Sequence, residues 1–395
     1  MNKNICKGFL FSGVCAGLKQ NNEKDLGLIL SERSASVAAV FTKNIIKAAP
    51  VIIDMERVKS GTARAIIVNS KNANCCTGDE GILNALKMGK SVAEKLSIKE
   101  EEVFIASTGV IGEPLPIEKI CRAIPNLVEN LDYSGGDDFC RAIMTTDTKP
   151  KIFSKQIKVS GKGFNILGFA KGAGMIKPNM ATMLCFICTD IEAESKYLQN
   201  ILSELTEKSF NRISIDGDTS TNDTIIVLAN GCSNLSVKDS SVKEKFEKSL
   251  EEALITLCKM IVKDGEGATK FVEIKTIGAL TIEDAKKISD TVANSNLVKT
   301  ALFGEDANWG RIAAAVGRAG VNFDPNALDI FFDDIMIVHK SRSCGKEVEK
   351  KVSEILKKDE FVITININGG GKSEYSIYTC DFSLDYVKIN ANYRS

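Results

Sequence analysis

Residues 171–184 read KGAGMIKPNMATML, in which two glycines and a proline lead to Ala181 and Thr182 and then to the apolar run MLCFIC. The plain reading is a turn entering a buried strand. A chemical reading starts from the histidine count. The chain of 395 residues carries one histidine, His339, at the end of the strand-like run IMIVHK, where a structural or surface role outweighs catalysis. Any Ser-His-Asp or Cys-His mechanism would have to use it, and metal sites built on several histidines are excluded. One base needs no side chain. If the peptide bond before a threonine is cut, the threonine gains an α-amine of intrinsic pKa about 8, well below the ~10.4 of lysine. Covalent geometry holds that amine beside the hydroxyl, whose proton it accepts near neutral pH. The Ala181–Thr182 bond suits such a cut. Small Ala181 leaves the carbonyl open to attack, and the glycines allow the distorted backbone that an N-to-O acyl shift needs. Ala-Thr pairs are common, so these residues alone leave both readings open.

Other motifs carry less. KGAG (171–174) has no GK[ST] after it and is not a phosphate loop. INGGGKS (367–373) joins two strand-like runs and reads as a hairpin turn. Cys185 and Cys188 have CxxC spacing inside an apolar strand-like run, which sends them to opposite faces. With no second CxxC they read as small core residues, a metal or redox role coming second.

The elements that must position this chemistry form an alternating pattern. Strands are expected at 25–31, 36–42, 64–70, 102–108, 164–170 and 181–191, with a first strand inside GFLFSGVCAGL (8–18). Helices are expected at 79–96, capped by Thr77 or Asp79, at 117–131, interrupted by Pro125, and at 195–211 and 240–263. Strands ISID and TIIVLAN flank the loop GDTSTND (217–223), and from about 275 the texture shifts to a smaller α+β unit. The expected division is a catalytic α/β domain at 1–275 and a smaller domain at 276–395, its last segment returning to the active site. Lys+Arg equals Asp+Glu at 51 each and no long basic block appears, which argues against nucleic acid or an anionic membrane as partner. No run of 18 apolar residues exists, and twelve scattered cysteines fit reduced thiols in the cytoplasm better than export.

Nine blocks occur in a set order: KGFLFSGVCAGLK (7–19), VNSKNANCCTG (68–78), STGVIGEPLP (107–116), AIMTTDTKPK (142–151), KGAGMIKPNMATML, DGDTSTNDT (216–224), DGEGATK (264–270), ANWGRI (307–312) and INANYRS (389–395). Over essentially the whole chain they resemble the ornithine acetyltransferase family, the glutamate N-acetyltransferases of arginine biosynthesis. The resemblance implies an α/β fold, a layered mixed-sheet sandwich with an N-terminal-nucleophile-like active site, beside the smaller C-terminal α+β domain. It implies self-cleavage between Ala181 and Thr182 into an alpha chain, 1–181, and a beta chain, 182–395. These stay associated, two of each in a heterotetramer. Thr182 would be the nucleophile and its α-amine the general base, taking acetyl from N-acetylornithine and passing it to glutamate. The Thr108 hydroxyl and the Gly109 backbone N–H would stabilise the oxyanion, one such donor being worth roughly a hundredfold to a thousandfold in rate.

Thr145, Lys171, Thr182, Glu266, Asn390 and Ser395 would bind substrate by the same resemblance. Lys171 suits an α-carboxylate and Glu266 the side-chain ammonium of ornithine. On the residues alone, Lys171 and Glu266 read as solvated charges near loops, and the C-terminal residues as frayed. No metal or cofactor is implied; acetyl-CoA serves some members as a second acetyl donor. The chain departs from the family at Asn392, where an acid is common, at Ser395, where a threonine is, and at Lys71, often glycine. The rival reading is a self-processing amidohydrolase or aminopeptidase, with water as acceptor.

Overall fold

The computed structural model describes residues 5–20, 22–177 and 183–391. The chain divides into two units. The first holds 1–172, 179–211 and 218–261; the second holds 173–178, 212–217 and 262–395.

In the first unit the chain forms β1 (Phe9–Val14), β2 (Leu26–Phe41), α1 (Ala49–Arg57), β3 (Thr62–Asn69), α2 (Gly78–Leu96), β4 (Val103–Ser107), α3 (Ile117–Glu129), α4 (Gly136–Ile143), β5 (Lys151–Val159), β6 (Lys162–Lys171), β7 (Leu184–Thr189) and α5 (Ser195–Lys208). After β8 (Ile213–Ser214) in the second unit come β9 (Thr224–Ala229) and α6 (Ser240–Lys263). The strands make one mixed sheet in the order β4-β3-β2-β9-β7-β6-β5, with β1 paired to β2. Strand alternation builds two cores. Ile66, Val68, Phe104, Phe169, Phe186 and Ile226 pack with Phe139 and Ile143 of α4. Their neighbours Ala65, Ile67, Val103 and Ile105 face Ala85, Met88 and Val92 of α2 and Ile120 and Ile124 of α3. The result is the expected α/β class of layered, mixed sheets.

Three local expectations change. The strands at 25–31 and 36–42 are one strand, β2, whose first half pairs with β1 and second half with β9. The polar residues Glu32, Arg33 and Ser34 are exposed where partners hand over, so polarity marks a change of neighbour and not a turn. Helix α3 runs through Pro125, which sits on the exposed face while Ile117, Ile120, Ile124 and Leu127 are buried. Thr77 stands at the N-cap of α2, but its hydroxyl donates to Asn74 Oδ1 (3.0 Å) and makes no cap bond. Cys185 and Cys188 are both buried within β7, and all twelve cysteines are free.

The second unit adds β10 (Phe271–Ala279), α7 (Ile282–Ala293), α8 (Asn296–Phe303), α9 (Trp309–Gly317), β11 (Asp329–Phe332), β12 (Ile335–His339), β13 (Arg342–Ser343), α10 (Lys346–Leu356), β14 (Glu360–Asn366), β15 (Ser373–Cys380) and α11 (Leu384–Ala391). Its sheet runs β13-β12-β11-β14-β10-β15-β8. Position 275 therefore falls inside β10. INGGGKS is not a hairpin turn, because β10 lies between β14 and β15, parallel to one and antiparallel to the other. The glycines cross the end of β10. Gly369 N–H donates to Gly278 C=O (2.9 Å), and a Cβ on Gly371 would stand 1.9 Å from the Ala279 oxygen. His339 is exposed at the end of β12 and pairs through Nδ1 with Asp329 (3.1 Å).

Candidate active site

Lys171 ends β6, and its side chain is 4% exposed. An ammonium so deeply buried needs acceptors. Its Nζ donates to Thr145 Oγ1 (2.9 Å) and Thr108 Oγ1 (3.2 Å). Three residues singled out from separate blocks thus meet at one nitrogen. Because each threonine oxygen accepts from Lys171, each hydroxyl keeps its own proton to donate. The Lys171 Nζ also lies 3.9 Å from Asp147 Oδ2. Asp147 is the hub beneath it. Oδ1 accepts from Lys151 Nζ (2.6 Å) and Gly172 N–H (2.6 Å), and Oδ2 from Thr145 N–H (2.9 Å). Burial alone would raise the Asp147 carboxyl, yet Lys171, Lys151 and the Gly172 N–H hold it well below the usual carboxylate range. Asp147 thus lies between the ammonium groups of Lys151 and Lys171. Asp147 and Lys151 escape sequence reasoning. Their signal, an acid and a lysine in TTDTKPK before a strand, looks like an ordinary charged loop.

Thr108 and Gly109 follow β4. Gly109 takes φ +139°, and a Cβ there would stand 2.0 Å from the Lys71 carbonyl carbon, so only glycine fits. The peptide orientation is fixed from both sides. Thr108 N–H donates to Asn69 C=O (3.0 Å), while the Asn222 side-chain nitrogen donates to Ser107 C=O (2.8 Å) and Ala73 C=O (2.7 Å). Among the described residues no acceptor takes the Gly109 N–H. A hydroxyl and an N–H on consecutive residues, one oriented by Lys171 and the other held by a glycine-only turn, are what an oxyanion needs. Lys71 itself has φ +76°, a left-handed conformation costing a non-glycine residue roughly 1–2 kcal/mol. That conformation accounts for glycine being easily accommodated at this position.

In the second unit Glu266 is 6% exposed, contrary to a solvated charge. Asn390 of α11 donates from Nδ2 to Glu266 Oε2 (2.8 Å), and Glu266 N–H donates to Ala173 C=O (2.8 Å). A Cβ on Gly174 would stand 2.5 Å from Glu266 Oε2, so that glycine makes room for the carboxylate. Among the described residues no lysine, arginine or histidine pairs with Glu266. Asn390 is exposed on the helix α11. Ala181, Thr182, Asn392 and Ser395 lie outside the described residues. Among the described residues no group of three or more His, Cys, Asp or Glu is placed to hold a metal, and no helix is long and apolar enough to cross a membrane.

The profile of the ArgJ family matches residues 10–395. The chain belongs to the ArgJ family. A relative of this ArgJ-family chain from Geobacter sulfurreducens, named arginine biosynthesis bifunctional protein ArgJ, is 50% identical over 392 residues, 98% of this chain and 99% of the relative. A glutamate N-acetyltransferase of Methanocaldococcus jannaschii is 47% identical over 399 residues, 96% of this chain and 98% of the relative. A solved chain of arginine biosynthesis bifunctional protein argJ from Bacillus halodurans is 37% identical at TM-score 0.49, covering 52% of this chain and 97% of its own.

Proposed function

We propose that this ArgJ-family chain is a self-processing acetyltransferase that moves the acetyl group of N2-acetylornithine to glutamate. The observation that carries the reading is family membership across residues 10–395, with relatives named for that work. The meeting of Lys171 with Thr108 and Thr145 supports it. In processing, Thr182 Oγ adds to the Ala181 carbonyl, its proton passes to the amide nitrogen, and the C–N bond breaks to an ester. Water then releases the Ala181 carboxylate and the Thr182 hydroxyl with a free α-amine. In turnover that amine takes the hydroxyl proton as Oγ attacks the acetyl carbonyl, and Thr108 and Gly109 stabilise the oxyanion. Ornithine leaves with the proton, and the glutamate amine attacks the acetyl-Thr182 ester. Lys171 receives the substrate α-carboxylate with Thr145. Glu266, with Asn390 and Ser395, receives the charged side-chain end of ornithine. The two chains act in the cytoplasm as a heterotetramer and need no cofactor.

Assays of glutamate acetylation with each donor alone test this. Acetylornithine should support transfer, and release of ornithine should match acetylglutamate formed. Transfer from acetyl-CoA as well makes the enzyme bifunctional, as some relatives are named. Hydrolysis of acetylornithine without transfer would favour the amidohydrolase reading and overturn this one.

A further inference from the structure

The loop DGDTSTND (216–223) carries an acid at each end, and each acid grips the chain on a different side of the Ala181–Thr182 bond. Upstream, Asp216 accepts two successive backbone N–H groups, from Met175 (2.5 Å, to Oδ2) and Ile176 (2.7 Å, to Oδ1). Met175 has φ +58°, a left-handed turn that aims neighbouring N–H groups at one anion. Ile215 N–H donates to Ile176 C=O (2.8 Å), and Tyr386 Oη contacts Asp216 Oδ2 (3.4 Å). Downstream, Asp223 is fully buried, and its Oδ1 accepts the N–H of Met183 (3.0 Å), the residue after Thr182. Thr224 N–H donates to Met183 C=O (3.2 Å), so Met183 is held by both its backbone groups. The loop is itself tied to the end of β2, with Thr42 N–H donating to Asp223 C=O (3.0 Å) and Thr42 Oγ1 to Ser220 C=O (2.7 Å). Each grip lies within one unit.

Among the described residues Asp223 Oδ2 is buried with no hydrogen-bond partner, an arrangement that costs stability. Burial pushes its carboxyl well above the usual carboxylate range, against the pull of the Met183 N–H and the Lys171 charge. An asparagine would hold the Met183 N–H without burying an acid.

We propose that Asp216 and Asp223 are positioning residues for self-cleavage: Asp216 fixes the backbone of residues 175–176 before the bond, and Asp223 fixes the backbone of Met183 after it. This rests on the self-cleavage described above. Placing the hydroxyl and the carbonyl within an attack geometry is worth orders of magnitude in rate, and loss of position of about 1 Å costs up to a hundredfold.

The test is timed cell-free synthesis of the full chain, sampled by intact mass under denaturing conditions across pH 6–9. The chains are the wild type, Asp216→Asn, Asp216→Ala, Asp223→Asn and Asp223→Ala, with folding followed by circular dichroism. Asp216→Asn and both alanine variants should cleave about tenfold to a hundredfold more slowly at every pH. The Asp223→Asn chain, which keeps an acceptor, should recover part of the rate lost in Asp223→Ala. Should the alanine chains misfold, the asparagine chains decide. Folded variants cleaving at the wild-type rate overturn the proposal, as does a shifted midpoint in the pH profile, which would mark an acid–base role. A wild type that stays one chain refutes the self-cleavage reading itself, a different outcome from wild type and variants cleaving alike.

Discussion

A lysine within a few residues of two glycines and a proline invites the reading of a solvated loop charge. Lys171 is buried because acceptors arrive from elsewhere in the chain: the Thr145 and Thr108 hydroxyls and the Asp147 carboxylate. Gly109 shows the same dependence on distant chain, its missing Cβ being required by the Lys71 backbone. We predict that Gly109→Ala lowers kcat about a hundredfold or more, because the added methyl must displace the Lys71 peptide and with it the N–H proposed to meet the oxyanion. Steady-state assays with acetylornithine and glutamate check this, and an unchanged kcat would remove Gly109 from the oxyanion site. Thr108, Gly109, Thr145, Lys171, Glu266 and Asn390 were legible only because ordered blocks resemble a family; residue types alone leave Lys171 and Glu266 as surface charges. Asp147 was legible by neither route, since an acid among threonines carries no mark of the two lysines that fold onto it.

At the scale of elements, apolar runs named most strands and helices, and the misses have physical causes. Pairing is nonlocal. INGGGKS looked like a hairpin because its flanking strands are sequential, yet β10 inserts between them. β2 looked like two strands because its exposed middle is polar. Helix α7 carries a further consequence. Among the described residues Asp290 Oδ1 is buried without a partner, and burial pushes the carboxyl up to about 6 against the pull of Lys286 and Lys177. A raised folded-state pKa stabilises the fold below the unfolded value near 4, and that contribution is lost as pH rises through about 6. Asp290→Asn should therefore stabilise the protein by about 1–2 kcal/mol at pH 7–8 and not at pH 4. Denaturant unfolding at the two pH values checks the sign. Equal effects at both would show that Asp290 does not titrate in this range.

On the whole-molecule scale, two units share a chain that passes between them at 172–173, 178–179, 211–212, 217–218 and 261–262. A simple cut near 275 was the most that texture along the sequence could suggest, because the short segments 173–178 and 212–217 join the second unit through contacts with residues far along the chain. The proposed cut, between residues 181 and 182, follows the first of these excursions by a few residues. Intact-mass measurement of the purified full-length protein under denaturing conditions tests it most directly. Two polypeptides are expected, residues 1–181 and residues 182–395 with threonine first, and one unbroken chain for Thr182→Ala. A wild-type protein of a single undivided mass, with acetyl transfer intact, would contradict it.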